Sequence, residues 1–438
     1  MNPPAKRRVV ITGMGLISPL GHSPEDLYAA LVEGRSGVGP LERVPSDHLS
    51  TSVAAEAREF DASIDQFGSL SKDRKKAVRK ALKVMCRETQ MGVASAQLAA
   101  ADAGFVDGGM DPERTGVLFG SDYMLTEPEE FAAGVRKCGS DGKFDYSRWG
   151  SEGLDQMSPL WLLKYLPNMP ASHIAIFNDL RGPNNSITHR EAASNLAIGE
   201  AMHIIQRGSA DRMLAGATGT RVHPMKTVHA VQTEHLARGN GDPTRASRPF
   251  DRDRTGMVIG EGAATVVLEE LEIARKRGAK IYAEVVSVGS RIVLDRNGQA
   301  HRDVAMAGAM QSCLERAGMS PDDVGHIHAH GLSTPQSDIE EARAIRQVLG
   351  DAADRTPVVA AKANFGNLGA GSGVAELIAS VMALGSGKLF PVLNYQTPDP
   401  ECPIAAVTSA DVPAGGSFLN LSTTPQAQAA VVLVRAME

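Results

Sequence analysis

Cysteine is scarce in this sequence, and what there is lies scattered. Cys86, Cys138, Cys313 and Cys402 include no CxxC pair and no Cys/His spacing of a zinc site, which points to reduced thiols rather than a disulfide scaffold. A basic excess is also missing. The net charge is −6, so the chain lacks the global signature of a nucleic-acid binder. No stretch is expected to reach membrane-spanning length, and low-complexity sequence is absent. Residues 1–8 are polar and basic, and the apolar run after them is broken by glycines, unlike a secretory leader. Together these absences predict a cytoplasmic globular protein, with neither membrane nor nucleic acid among its partners.

What is present is length and alternation. At 438 residues the chain can hold two domains or one large duplicated unit. Residues 9–21 read as a buried strand and a glycine-rich turn, without the spacing of a dinucleotide-binding fingerprint. Short apolar runs at 116–121, 212–217 and 264–269 then alternate with helical patterns. After a basic helix at 270–280, a second series opens at 281–286 and continues near 326–330, 358–361 and 430–434. Alternating strands and helices indicate an α/β protein, and the two series predict similar halves, 1–269 and 270–438. The segment 122–160 stands apart as polar and weakly periodic, with Tyr123, Phe144, Tyr146 and Trp149. It reads either as a capping or interface segment or as a surface loop with buried aromatics.

One junction carries the chemistry. Residues 182–194 are expected to leave an apolar strand at 173–177 and to feed a small-residue helix at 192–207. A strand-to-helix turn exposes side chains to orphan N–H groups and the positive end of the helix dipole. The residue presented there is Glu191.

Five stretches, in order, are similar to the β-ketoacyl synthases: VVITGMGLISPLG, ADRMLAGAT, SRPFDRDRTGMVIGEGAATVVLEE with KRGAKIYAE, AHGLSTPQSDIEEARAI, and LFPVLNYQTPDPEC. This resemblance implies a thiolase-type fold, five layers αβαβα in two pseudo-symmetric halves, and usually an isologous dimer. It also implies an acyl carrier protein as partner, with its phosphopantetheine arm as the substrate carrier and no cofactor of the protein's own.

By the same resemblance, Glu191 occupies the position of the acyl-accepting cysteine. His330 matches the first catalytic histidine, and Asn367 stands where the second is expected. Lys362 is retained, with Glu341 as its implied acidic partner. Thr334 matches one of two pantetheine-contacting threonines, while Leu332 replaces the other. At residues 420–428 the family's mobile glycine pair is gone, and Pro425 stiffens the loop. The basic run Lys72, Arg74, Lys75, Lys76 and Arg79 corresponds to the region where condensing enzymes dock acidic carriers; a solvated helix face is the plainer reading.

The residues leave alternatives open. Glu191 is either a helix-start carboxylate held by N–H groups and by Arg190, or a reactive acid or base. His330 with Glu191 forms a base/acid pair, or His330 is a relic satisfying buried groups. His326, His328 and His330 alternate along one strand and face one side, but no Asp or Cys ligand accompanies them, so no metal is expected. Malonyl decarboxylation is disfavoured, since an ionised Glu191 repels the malonate carboxylate. The expected function is that of a chain-length-factor-like or carrier-binding subunit, as a homodimer or beside a cysteine-bearing ketosynthase. The alternative is an enzyme in which Glu191 and His330 act on acyl thioesters or esters as hydrolase, transferase or modified condensing catalyst.

Overall fold

The main strands fall into two sets of five with the same order and the same directions. The computed structural model describes residues 7–105, 108–239 and 241–437. The first set is β1 (Val9–Ile17), β2 (Thr115–Ser121), β3 (Asn184–Thr188), β4 (Arg212–Thr220) and β5 (Ile259–Glu270). The second is β6 (Ala283–Ile292), β7 (His326–His328), β8 (Pro357–Val359), β9 (Ser417–Thr423) and β10 (Gln428–Arg435). From edge to centre the orders are β3-β2-β4-β5-β1 and β8-β7-β9-β10-β6. In each set the three outer strands are parallel and the two inner pairings are antiparallel. The sets join where β1 pairs antiparallel with β6, from Val9 opposite Val285 to Ile11 opposite Ala283.

The helices used below are α1 (Lys72–Ala81), α2 (Arg87–Asp102), α3 (Met169–Asn178), α4 (Ala193–Gln206), α5 (Pro224–Thr233), α6 (Arg302–Ala317), α7 (Pro335–Leu349) and α8 (Ser372–Ser386). On the outer face of the first sheet, α2 packs against β1, β4 and β5, and α3 against β2. Next to the second sheet, α6 packs on β6 and β10 and carries α7. Between the sheets lie α4, which touches β2, β4, β6 and β10, and α8, which touches β4, β5 and β9. This meets the expected αβαβα arrangement with two pseudo-symmetric halves.

The central layer corrects one expectation. Residues Gly369–Ser386 form a stretch as long and apolar as a membrane span, yet 78% of it is buried inside the protein. A helix sandwiched between two sheets is apolar all round because no face of it meets water.

At the first sheet one expectation is met and another changes. As expected, residues 9–21 form a strand and a turn: β1 runs to Ile17, and Ser18–Gly21 close a turn through the Ser18 N–H and the Gly21 carbonyl at 3.1 Å, while Gly13 and Gly15 lie within β1 where α2 presses on it. A Cβ on Gly15 would stand 2.4 Å from the backbone nitrogen of Ala99, so no side chain fits. The apolar run at 173–177 is helical, within α3, and the strand that feeds the turn is the polar β3. A short apolar run does not separate strand from buried helix by periodicity. Among the described residues β3, at the sheet edge, pairs with β2 alone, which is why it carries no apolar signal.

Candidate functional site

The carboxyl ends of the parallel strands in both sheets converge on one region. Asp122 follows β2, Glu191 follows β3 and Arg221 follows β4; His330 follows β7, Lys362 follows β8 and Thr424 follows β9. Ligands of α/β proteins collect outside such strand ends.

Glu191 sits in a 3-10 turn, Arg190–Ala192, ahead of α4. Arg190 adopts the left-handed conformation, φ 49°, at a cost of roughly 1–2 kcal/mol for an L-residue. Ionic contacts offset that cost. The Arg190 Nη2 donates to Glu234 Oε1 at 2.5 Å, and its Nε lies 3.6 Å from Glu191 Oε2. The stronger hold comes from Arg221, whose side chain is 3% exposed against 2% for Glu191. Arg221 Nη2 donates to Glu191 Oε1, Nη1 donates to Glu234 Oε1 at 2.9 Å, and Nη2 also lies 3.8 Å from Asp122 Oδ2. Asn367 Nδ2 donates to the same Glu191 Oε1 at 3.1 Å. The orientation of Asn367 is fixed, because its Oδ1 accepts from the Gly369 N–H and from Ser372 Oγ.

Burial by itself opposes ionisation of Glu191. Arg221, and then Arg190, outweigh it and hold the carboxyl well below the usual carboxylate range. With the folded pKa below the unfolded one, the unfolded chain takes up this proton first as pH falls. The stability Glu191 contributes is therefore present above about pH 4.3, the ordinary glutamate value, and is lost as pH falls from there through the folded pKa. Glu191→Gln is expected to be less stable than the parent at neutral pH, with the gap closing in acid. Urea midpoints across that range check it.

His330 faces the same region from the second sheet. Lys362 Nζ lies 3.2 Å from His330 Nδ1, donates to the His330 carbonyl at 2.7 Å and pairs with Glu376. An ammonium only donates, so Nδ1 is an acceptor and the ring proton sits on Nε2. Burial first, then Lys362, keeps the imidazole well below its ordinary pKa. His330 is thus a neutral ring whose Nε2–H is a donor rather than a base. It lines one cavity with Glu191, but no hydrogen bond joins the two among the described residues.

The implied partner of Lys362 needs correction. Its carboxylate is Glu376, on α8. Glu341, on α7, instead accepts the N–H groups of His330 and Gly331 at 2.6 and 2.8 Å. Burial pushes Glu341 up to about 8, against the pull of those two donors. Gly331 is the tight point of this loop: its φ is +48°, and a Cβ would meet that of Ala360 at 2.7 Å. Gly331→Ala is expected to cost about 2 kcal/mol in chemical denaturation.

The other expected residues divide. Thr334 and Leu332 line the cavity beside Pro425. Residues 424–427 form a tight turn between β9 and β10, closed by a hydrogen bond from the Thr424 N–H to the Gln428 carbonyl at 3.0 Å. The alternating histidines hold the structure together. The Nδ1 of His326 bonds the Ala414 carbonyl at 2.7 Å, and its Nε2 lies 3.0 Å from Ser380 Oγ; His328 Nδ1 lies 2.8 Å from that hydroxyl. Lys72, Arg74, Lys75, Lys76 and Arg79 all lie on α1, with Lys75 3.5 Å from Asp65. None of them lines the cavity or the groove that adjoins it. Sequence reading missed Arg221, Glu234, Asp122 and Glu376. For Glu376 a signal existed: a lone acid in an apolar helix needs a buried cation.

The cavity at Glu191 and His330 holds about 170 Å³. It opens past Thr233, Glu234 and His235, which also line a surface vestibule of about 1010 Å³. Glu191 is backed by the buried Arg221, which also lies 3.8 Å from Asp122, and Lys226 and Glu88 form a further buried ion pair.

Sequence comparison assigns the family. Residues 6–274 match the β-ketoacyl synthase N-terminal domain and residues 282–396 the β-ketoacyl synthase C-terminal domain. The chain belongs to the β-ketoacyl synthase family. It is 36% identical over 405 residues to a 3-oxoacyl-acyl-carrier-protein synthase 2 of Synechocystis sp., covering 91% of this chain and 90% of the relative. Among solved structures it is similar to the ishigamide ketosynthase/chain length factor, with 27% identity, a TM-score of 0.82, and 99% and 100% of the two chains covered. It is also similar to a type II polyketide acyl-carrier protein in complex with its ketosynthase bound to the hexaketide, with 26% identity, a TM-score of 0.80 and the same coverage.

Proposed function

We propose that this chain is a non-condensing ketosynthase-family subunit that receives the arm of an acyl carrier protein and works beside a cysteine-bearing partner, as a chain-length factor does. The observation that carries this reading is Glu191: ionised, buried, and fixed by Arg221 and Asn367 at the closed end of the cavity. A carboxylate so held is a poor nucleophile and a poor base, since what stabilises the anion lowers its reactivity. A cavity of about 170 Å³ is also small beside the roughly 300–1,000 Å³ of ordinary ligand pockets. The similarity to a ketosynthase/chain length factor supports the reading, as does the neighbour described with its carrier protein.

A second subunit has a place to sit. The outer side of β3 is an open sheet edge, and open edges recruit strands unless covered. Beside it on α3, Ile176 is 70% exposed, and Leu160, Leu162 and Leu163 are exposed just before that helix.

The test is to incubate the purified chain with malonyl- and acyl-loaded carrier proteins and follow the thioesters by intact-protein mass spectrometry. The carriers are expected to survive unchanged. Turnover that disappears in Glu191→Ala would end the non-catalytic reading. An enzymatic reading keeps one supporting observation: His330 lines the cavity, and among the described residues its Nε2–H makes no hydrogen bond, so a carbonyl oxygen there could accept it. Under that reading Glu191→Ala loses the turnover.

A further inference from the structure

The exposed apolar side chains of this protein gather in one stretch of chain. Of the thirteen large hydrophobic residues exposed among the described ones, seven lie between Val135 and Leu163. Soluble proteins rarely leave so much apolar surface together unless something covers it. Within that stretch, Phe131, Val135, Phe144, Tyr146 and Trp149 line a cup of about 390 Å³. The aromatics of the segment 122–160 are thus not all buried: Phe144 is 40% exposed and Tyr146 83%.

The local backbone builds this cup. Phe131 and Val135 stand one turn apart on the helix Pro128–Lys137 and share a face. Trp149 lies against the same helix where Gly134 leaves room, since a Cβ there would stand 2.9 Å from the indole. Phe144 comes from a hairpin of Gly139–Ser140 with Lys143–Phe144, and it faces Gly139, which offers no cross-strand side chain. Its ring instead meets Tyr146 edge-on at 5.1 Å and Trp149 at 5.9 Å. Glu130 ties the assembly to the body of the protein, accepting from Lys164 Nζ at 2.9 Å and the Tyr165 hydroxyl at 2.7 Å. No charged side chain lines the cup. Around it, Asp145 accepts the N–H and the hydroxyl of Ser147, and Arg148 clamps Glu152. At the helix end and the hairpin there remain Arg136, Lys137 and Lys143 against Asp141, all exposed. The three cations make no ion pair and no side-chain hydrogen bond among the described residues, so this rim is positive.

We infer that the cup binds the hydrocarbon tail of a fatty-acid anion, with the carboxylate held at the rim by Arg136 and Lys143. The site shares no residue with the cavity at Glu191 and does not depend on how that cavity is used. Its volume falls within the roughly 300–1,000 Å³ of ordinary ligand pockets. An apolar interior with an unpaired positive rim matches a ligand that is apolar along its length and anionic at one end. A quaternary ammonium, the other ligand that aromatic walls attract, would meet those same cations as like charges.

The chain's two tryptophans make the test direct. Trp149 lines the cup and Trp161 packs edge-on against Phe131 at 5.5 Å, so intrinsic fluorescence of the full chain reports on this site. It is titrated with octanoate, decanoate, dodecanoate and decyltrimethylammonium, all below their micellar concentrations. The fatty acids are expected to give a saturable change, with affinity rising about threefold to fourfold per added methylene until the cup is full. Decanoate is expected to bind at least about fivefold tighter than decyltrimethylammonium. Arg136→Gln/Lys143→Gln, at two exposed positions, is expected to remove that preference, and Tyr146→Ala to weaken every ligand about tenfold. A response that never saturates, or one indifferent to tail length, overturns the site. So does an ammonium that binds as tightly as decanoate, a preference that survives the loss of both cations, or an affinity that Tyr146→Ala leaves unchanged.

Discussion

Arg221→Ala is expected to lower stability by about 3–5 kcal/mol, the cost of stranding buried charges. Among the described residues its guanidinium alone reaches within 4 Å of all three carboxylates of the cluster, Glu191, Glu234 and Asp122. Without it Arg190 remains, and it reaches Glu191 only at 3.6 Å. Desolvation then dominates, and the carboxyls shift towards protonation or draw in water. A double-mutant cycle separates this from lost packing. Arg221→Gln with Glu191→Gln is expected to be less damaging than the sum of the single changes, because replacing a buried pair by neutral groups is often nearly free. Additive losses in urea denaturation would show that the two side chains act independently.

Glu191→Cys is expected to create a reactive thiolate without restoring condensation. Two effects compete for the new thiol. Burial raises it, as burial pushes Cys313 up to about 11. Arg221 and Arg190 lower it, and at this position they already prevail over burial for the carboxylate. Neighbouring cations lower a thiol by about 1–3 units from its ordinary value near 8.5. Alkylation by iodoacetamide, followed by mass spectrometry, is therefore expected to titrate below about pH 7.5. Adding Arg221→Gln is expected to return it above about 8.5. A thiol in Glu191→Cys that reacts only in alkali would refute the claim that the guanidiniums control this position. Acyl transfer is still expected to fail, since Asn367 supplies no imidazole and the buried Arg221 is packed against residue 191.

The fold was legible where a single layer imposed a single pattern. The buried strands β2, β4 and β5 are short apolar runs between helices, and their sequence says so. Legibility failed where two layers met. In β1 Gly13 and Gly15 make room for α2, a close approach that the strand's own pattern does not announce. At β3 the edge position removes the apolar signal altogether. The site followed the same rule. Glu191, His330, Lys362 and Asn367 stand in recognisable motifs, whereas their partners do not. Arg221 is 30 residues from Glu191, and only the parallel order of β3, β2 and β4 brings them together. Glu341 and Glu376 both lie on helices near Lys362; the resemblance points to Glu341, and the one sequence signal for Glu376 is its isolation in an apolar helix. The structure chooses Glu376, because α8 is the helix that passes beneath the lysine.

The duplicated strand order has a consequence for synthesis on the ribosome. Asp122, Glu191, Arg190, Arg221 and Glu234 all come from the first set of strands and their connections, while His330, Lys362 and Glu376 come from the second. Each charged cluster finds its counterions within its own stretch of chain. The hydrogen bond from Asn367 to Glu191 then links them as a neutral contact added to two finished networks. A nascent first half can thus pair the guanidiniums and carboxylates of the Glu191 cluster before the second half has left the exit tunnel, whereas the buried Arg254 must wait for Asp338 and Asp399.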